Sequence, residues 1–285
     1  MVLFKSNKLN KKFKESGFVK LQLISSPAAD KLKELYFNYK KNHLEYNESF
    51  HSTSDTSNHD LIRSVNSKIK NILLCEYDKL FINLDYFIAN FLVKEPKADS
   101  AVSAHQDWTF VDEKKFQSVN IWVGLDQINH NNGCMWFIPK SHQKFKTLRL
   151  SPHFPAFYAD YRHKLHRFGK HLLTQKGEGF VFDHGIIHGS TENKSNEERI
   201  AAVVGAYSKG AELLHYYMPD LNQKKIEKYT MTIEDFIQLK KDERPTKSPV
   251  EINLKHQYSA VEFKDFKKAH YSFMVDLENR LLRGF

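Results

Sequence analysis

Three features predict a mainly β protein with flanking helices. Between residues 81 and 210, short β-rich runs alternate with turn residues. On either side, apolar residues recur at three- and four-residue intervals. The composition, 41% hydrophobic and 27% charged with 22 Phe and 13 Tyr, is that of a packed globular chain. At 285 residues there is enough chain to bury a substantial core. The expected organisation is one domain over 1–285: a helical N-terminal part (1–80), a β core (81–210) and a helical C-terminal part (211–285).

The elements follow in order. Ser26-Pro27 is a helix start, a hydroxyl N-cap with proline at the first helical position. Leu32, Leu35, Tyr36 and Tyr39 continue it at helical spacing. Residues 47–60 form a polar loop rich in Ser, Thr, Asn and His. Leu61, Ile62, Val65, Ile69, Ile72 and Leu73 predict a second helix over 59–77. Strand-like runs then cover 81–93, 117–127, 134–138, 179–182 and 199–208, with turns at Asn129–Gly133 and Gly185. Many short strands separated by turn signals suggest a sandwich or a barrel. Further on, Thr232 is a helix N-cap with Asp235 three residues later. Phe263, Phe266, Ala269, Phe273 and Leu277 predict a terminal amphipathic helix.

Several function classes are disfavoured. No stretch approaches the roughly 18–20 apolar residues of a membrane helix, and the first residues lack the long apolar run of a secretory signal. Two cysteines, Cys75 and Cys134, form neither a disulfide framework nor a thiolate cage. They read as two buried, reduced thiols, so a cytoplasmic setting is the expectation. The net charge of +9 favours an anionic partner, but scattered lysines explain it as a solvated basic surface. No zinc finger, Gly-rich phosphate loop or RNA-binding signature is present, so no nucleic-acid or membrane partner is expected.

One constellation carries chemistry. The chain reads Ala104-His105-Gln106-Asp107-Trp108. On a strand, residues two apart share a face, so His105 and Asp107 can converge on one metal ion. His-x-Asp alone arises about once by chance in such a chain. Downstream, however, comes Asp183-His184-Gly185-Ile186-Ile187-His188-Gly189-Ser190, and Arg199 opens the run to Tyr207. Two histidines and one carboxylate make the facial set of non-haem Fe(II) oxygenases, which leaves positions open for a chelating 2-oxo acid and O2. An arginine suits the far carboxylate of 2-oxoglutarate, because its planar fork binds two oxygens at once.

These stretches resemble the phytanoyl-CoA dioxygenase family, including its ectoine-hydroxylase-like members. Phe13–Val19 is similar to the family's opening and Ala104–Asp107 to its metal motif. Ile121–Asp126, Asn132–Met135 and Ile138–His142 are similar to its central strands, and His188-Gly189-Ser190 with Arg199 to its distal motif. The resemblance covers roughly residues 13–210. It implies a double-stranded β-helix, a cupin-like jelly roll, with His105, Asp107 and His188 as ligands of Fe(II). Arg199 then takes the distal carboxylate of the cosubstrate 2-oxoglutarate, and Trp122 borders it. Asn90, Asn120 and Ser190 are further candidate contacts to it.

The implied activity is an O2-using dioxygenase that hydroxylates a C–H bond and releases succinate and CO2. An amino acid, a peptidyl residue or a natural-product intermediate fits as substrate, and a monomer or homodimer as the assembly. Asp107 stands where related halogenases carry a small residue, which argues against halogenation. Two departures are visible: Lys140 replaces the glycine of the Pro-Gly-Ser-His turn, and Gly177-Glu178-Gly179 replaces the usual Gly-Asp. His184 has a possible role beside the site, and His142 reads as a structural turn residue.

Residues 143–176, rich in aromatic and basic side chains, are a candidate lid for an anionic, partly apolar small-molecule substrate. They equally fit an exposed basic helix, and residues 47–60 are a second candidate lid. Two other readings stay open: a non-catalytic metal-binding jelly-roll protein, and a cupin-like isomerase or hydrolase that needs neither Arg199 nor O2.

Overall fold

The computed structural model describes residues 2–43, 48–96, 99–150, 158–219, 225–240, 243–252 and 264. Helices α1 (Asn7–Ser16), α2 (Ser26–His43) and α3 (His59–Tyr77) dominate the N-terminal part, interleaved with strands β1 (Phe18–Gln22) and β2 (Phe50–Ser52). Asn58 caps α3 by accepting from the Leu61 N–H at 3.0 Å. Strands β3 (Leu84–Lys94), β4 (Val102–His105), β5 (Ser118–Gly124), β6 (Met135–Phe137), β7 (Lys170–Leu172), β8 (Glu178–Asp183), β9 (His188–Ser190) and β10 (Arg199–Ser208) build the core. Between β6 and β7 lie the short α4 (Ser141–Lys144) and a 3-10 helix (Ala159–Phe168).

Two antiparallel sheets result: a six-stranded one ordered β1-β8-β5-β10-β3-β2, and a four-stranded one ordered β4-β9-β6-β7. The larger sheet is covered on both faces, and its side chains sort by the two-residue period of a strand. Val181, Ile200, Ala202 and Val204 pack outward with Leu32, Tyr36, Ile69 and Leu73 of α2 and α3. Their neighbours Phe180, Phe182, Ala201 and Val203 face inward with Phe137 and Met135 of the smaller sheet. Burial on both faces is why β10 is apolar along nearly its whole length. The architecture is a jelly roll with helices on one outer face.

The C-terminal part departs from the helical expectation. The described residues of 211–252 form strands β11 (Leu213–Tyr217), β12 (Glu227–Met231) and β13 (Glu251–Ile252), with the short helix α5 (Ile233–Gln238). Their apolar residues pair across strands: Leu213 and Met231 are register partners and pack with Phe87 and Tyr229. The capping box at Thr232 and Asp235 is present. The expected terminal helix through Phe263 and Leu277 lies outside the described residues. Likewise β1 and β2 join the main sheet where mainly helix is expected, and β7 forms within 143–176.

Two details concern the corner at α4, where Lys140 replaces the expected glycine. Lys140 sits at φ +67, the left-handed conformation that glycine adopts without strain, so a turn of the same shape forms at a cost of about 1–2 kcal/mol. Gly17, at φ +85, lies against the His142 ring, where a Cβ would come within 2.3 Å of Nδ1. His142 is therefore a packing residue of this corner.

Burial also sets a pH dependence. His51, His142, His184 and His215 all lie below the ordinary imidazole range, burial being the largest cause in each, and His215 is pushed down to about 4. A folded value below the unfolded one means that the unfolded chain binds more protons between about pH 6.5 and the folded value. Stability therefore falls as pH drops through that window, by ~1.4 kcal/mol per pH unit for each whole proton of difference. The metal-free chain is expected to lose Tm steadily between about pH 7 and about pH 5. His215→Phe, which suits the surroundings of Trp108 and Phe236, should flatten the slope. Calorimetry in chelator reads both, and a Tm constant across the interval would reject the assignment.

Candidate metal centre

The pairing of β4 with β9 sets His105 directly opposite His188. Their ring centroids are 4.1 Å apart. Nδ1 of His105 lies 2.9 Å from the Ser103 carbonyl, and Nδ1 of His188 lies 3.0 Å from the Ile186 carbonyl. Each Nδ1–H therefore donates to backbone, which fixes the tautomer and leaves both Nε2 lone pairs free. Asp107 follows the end of β4 and is held by its own N–H, which donates to the His184 carbonyl at 2.9 Å. Its carboxylate lies 3.8 Å from His105 Nε2 and 3.9 Å from His188 Nε2. An ion making bonds of ~2.1 Å reaches both members of such a pair.

The donor set passes a chemical test for a metal. His188 is buried, and burial pushes it down to about 4, so the imidazole is neutral and able to ligate. Burial alone would raise the Asp107 carboxyl. The three histidines around it and its hydrogen bond from Asn120 outweigh that, and it lies below the usual carboxylate range. Two neutral imidazoles and one carboxylate, meeting within 4.8 Å, suit Fe(II) with open positions. Gly189, between His188 and Ser190, lets Trp136 close the far side: a Cβ there would fall 2.5 Å from the indole and from the Val102 carbonyl.

All eight residues singled out in the sequence, His105, Asp107, His188, Arg199, Trp122, Asn90, Asn120 and Ser190, line one cavity of about 380 Å³ between the two sheets. Their partners differ. Asn120 donates to Oδ2 of Asp107 at 2.9 Å, so its amide orients that carboxylate. Asn90 donates to Ser52 Oγ, which ties β3 to β2. Arg199 is 4% exposed, yet its Nε and Nη1 have no hydrogen-bond partner. Its guanidinium carbon stands 5.5 Å from the centroid of the Trp122 ring. Burial, the dominant influence, pulls Arg199 down to about 9. An unpaired buried guanidinium is costly and calls for an anion.

Sequence reasoning missed the groups that hold this site in place. Arg149 donates from Nε to the Asp107 carbonyl at 2.7 Å while pairing with Glu113. Gln106 reaches the Gly185 carbonyl at 2.5 Å. The apolar wall of Phe50, Phe87, Ile88, Trp108 and Phe110 was not foreseen either. The β11–β12 unit and α5 back that wall, with Phe236 5.9 Å from Phe87 and 5.7 Å from Phe110. His184 does not line the cavity; it is buried beneath it, 4.9 Å from Phe110 between ring centroids. Among the described residues of 143–176, none lines the cavity. Tyr158 and Leu165 pack instead with Ala104, Trp136 and Ile187, behind the smaller sheet. Residues 151–157 lie outside the described residues. Among the described residues of the two lid candidates, Phe50 of the 47–60 loop lines the cavity.

Comparison with known proteins adds family and fold. The model of the family described as Phytanoyl-CoA dioxygenase (PhyH) matches residues 24–201. The chain is 31% identical to "Phytanoyl-CoA dioxygenase domain-containing protein 1" of Danio rerio over 139 residues, 46% of this chain and 47% of that protein. It is also 31% identical to "Phytanoyl-CoA dioxygenase 1" of Oryza sativa subsp. japonica, over 39% of this chain and 40% of that one. The match thus spans less than half the length of these relatives. Among solved structures, the non-heme alpha ketoglutarate dependent carbocyclase SnoK from nogalamycin biosynthesis aligns with TM-score 0.53 and 15% identity, over 76% of this chain and 88% of that one. HygX from Streptomyces hygroscopicus, solved with nickel and 2-oxoglutarate bound, aligns with TM-score 0.52 and 12% identity, over 72% and 87%. These alignments bear on the fold.

Proposed function

We propose a function from one premise: the chain belongs to the phytanoyl-CoA dioxygenase family, and its cavity has the two poles that a 2-oxoglutarate-dependent dioxygenase needs. The observation that carries this reading is the unpartnered, buried Arg199 guanidinium across one cavity from the His105–Asp107–His188 cluster. The net reaction converts a substrate C–H bond, O2 and 2-oxoglutarate into C–OH, succinate and CO2. Bound Fe(II) would supply the site where the 2-oxo acid chelates and O2 is reduced.

The chain's own residues would do the rest. His105, Asp107 and His188 would hold the ion from one side. Asn120 would keep the Asp107 carboxylate turned toward it by donating to Oδ2 at 2.9 Å. Arg199 would take the distal carboxylate of 2-oxoglutarate in a charge-assisted fork, with the Trp122 face under the guanidinium and Ser190 beside it. Phe50, Phe87, Ile88, Trp108 and Phe110 would receive the apolar part of the substrate and exclude water. A cavity of about 380 Å³, shared with the cosubstrate, favours a small substrate such as an amino acid, a peptidyl residue or a natural-product intermediate. Cys134 is buried as expected, whereas Cys75 is exposed on α3; both are free thiols, which suits a cytoplasmic setting. Among the described residues, no helix is long and apolar enough to cross a membrane.

Anaerobic titration with Fe(II) and 2-oxoglutarate tests the reading. The weak visible absorption of a chelated 2-oxo acid is expected, followed in air by slow succinate release that a true substrate accelerates. No absorption with the iron site filled would overturn the dioxygenase reading and leave a non-catalytic metal-binding jelly roll.

A further inference from the structure

A second group of metal-ligating side chains lies outside the cavity. The β5–β6 turn brings His130 over Cys134, and the β6–β7 pairing brings His171 to the same sulfur. Nδ1 of His130 is 3.5 Å from Cys134 Sγ, and Nδ1 of His171 is 3.8 Å from it. In a tetrahedral Zn(II) site with Zn–S of about 2.3 Å and Zn–N of about 2.0–2.1 Å, sulfur and nitrogen stand about 3.6 Å apart. The two observed distances bracket that value, and all three donor atoms fall within 4.8 Å of one another.

The surroundings point the same way. His171 stands on β7, whose pairing with β6 sets it directly opposite Trp136, so the sheet holds its ring beside Cys134. Cys134 is buried while His130 is exposed, so the sulfur is protected and one side of the cluster is open to an entering ion. A cavity of about 520 Å³ opens beside the two histidines, so solvent can reach the open side of the cluster. The set contains a thiolate donor and no carboxylate among its three members, which selects against the hard ions and suits Zn(II).

We propose that His130, Cys134 and His171 form a second metal site, for Zn(II) or an ion of similar chemistry, distinct from the His105–Asp107–His188 centre. Binding replaces the thiol proton with the metal: the S–H bond is lost, one Zn–S bond forms and one proton goes to solvent. Burial raises the Cys134 thiol, so affinity should strengthen with rising pH. The site does not depend on the dioxygenase reading.

Co(II) is the probe, because thiolate ligation gives an intense sulfur-to-metal charge-transfer absorption that a nitrogen and oxygen centre cannot give. The reduced, chelator-treated chain should bind two equivalents of Co(II), one of them with this band, and Zn(II) should bleach it. Cys134→Ser should abolish the band. His130→Ala, at an exposed position that leaves the fold intact, should keep the native Tm and weaken the band's midpoint on the order of tenfold or more. His105→Ala should remove the other equivalent and leave the band. Cys75→Ser, at an exposed position on α3, should change nothing. No band, a band that survives in Cys134→Ser, a midpoint unmoved by His130→Ala, or a band lost in Cys75→Ser would each overturn the site. Loss of 2-oxoglutarate chelation with the sulfur band intact would instead count against the dioxygenase reading alone.

Discussion

Replacing His188 by alanine is expected to release the metal and abolish succinate formation, a loss beyond the roughly 10–100-fold that follows from removing only a ligand's outer partner. Two of the three candidate donors, His105 and Asp107, come from one short stretch at the end of β4, and His188 alone comes from the other side of the β4–β9 pair. Its ring is locked between Phe182, 4.7 Å away, and Phe137, 5.9 Å away, so no neighbouring side chain can swing into its place. Asn120→Ala is the matched control. It removes the amide that steadies Asp107 and leaves all three ligands, so a partial loss within the outer-partner range is expected. Bound iron per chain and succinate release read both variants, and a Tm close to that of the parent chain shows that the jelly roll has formed. His188→Ala with full iron and parental turnover would move the metal elsewhere.

The sequence made the strands of the sandwich legible where their environment is simple. The helix from 59 to 77 has the bounds that its apolar period demands, because one face meets the sheet and the other meets water. β10 reads as a strand because both of its faces are buried. The C-terminal part misled for the opposite reason. Residues 213–217 and 227–231 are short, and they pack on Phe87 and on each other, so neither a two-residue nor a helical period is expressed cleanly. The sequence expected His105 and Asp107 on one strand face; β4 ends at His105, and Asp107 reaches the same cavity from the loop that follows. The site was not legible where the support comes from far along the chain. Arg149 reaches Asp107 across 42 residues, and Phe50, Phe87 and Phe110 look in sequence like ordinary core aromatics. Asn120 was expected to contact the cosubstrate, whereas its amide donates to Asp107, a partner set by how Asp107 leaves β4, a matter of one loop's path.

Arg199→Met is expected to disable the cosubstrate site while stabilising the empty protein. Truncating one partner of a buried, hydrogen-bonded charge pair costs about 2–5 kcal/mol, so the KM for 2-oxoglutarate should rise by roughly 30-fold or more. Arg199→Lys should fall between, since it keeps the charge and loses the planar fork. Stability should move the other way. Without cosubstrate, the guanidinium is buried with Nε and Nη1 unsatisfied, and burial already draws it down to about 9. An uncompensated buried cation is a standing cost, and an apolar side chain of similar length removes it. Adding 2-oxoglutarate to the parent chain should then raise its Tm through mass action on the folded state, while the Met variant stays flat. The two Tm curves should therefore cross as 2-oxoglutarate is raised, with the variant above at zero and the parent above at saturation. A purely structural arginine would give a variant less stable at every concentration. That outcome would mean that the guanidinium is satisfied within the fold and that the cosubstrate's carboxylate, if it binds at all, is held by other groups.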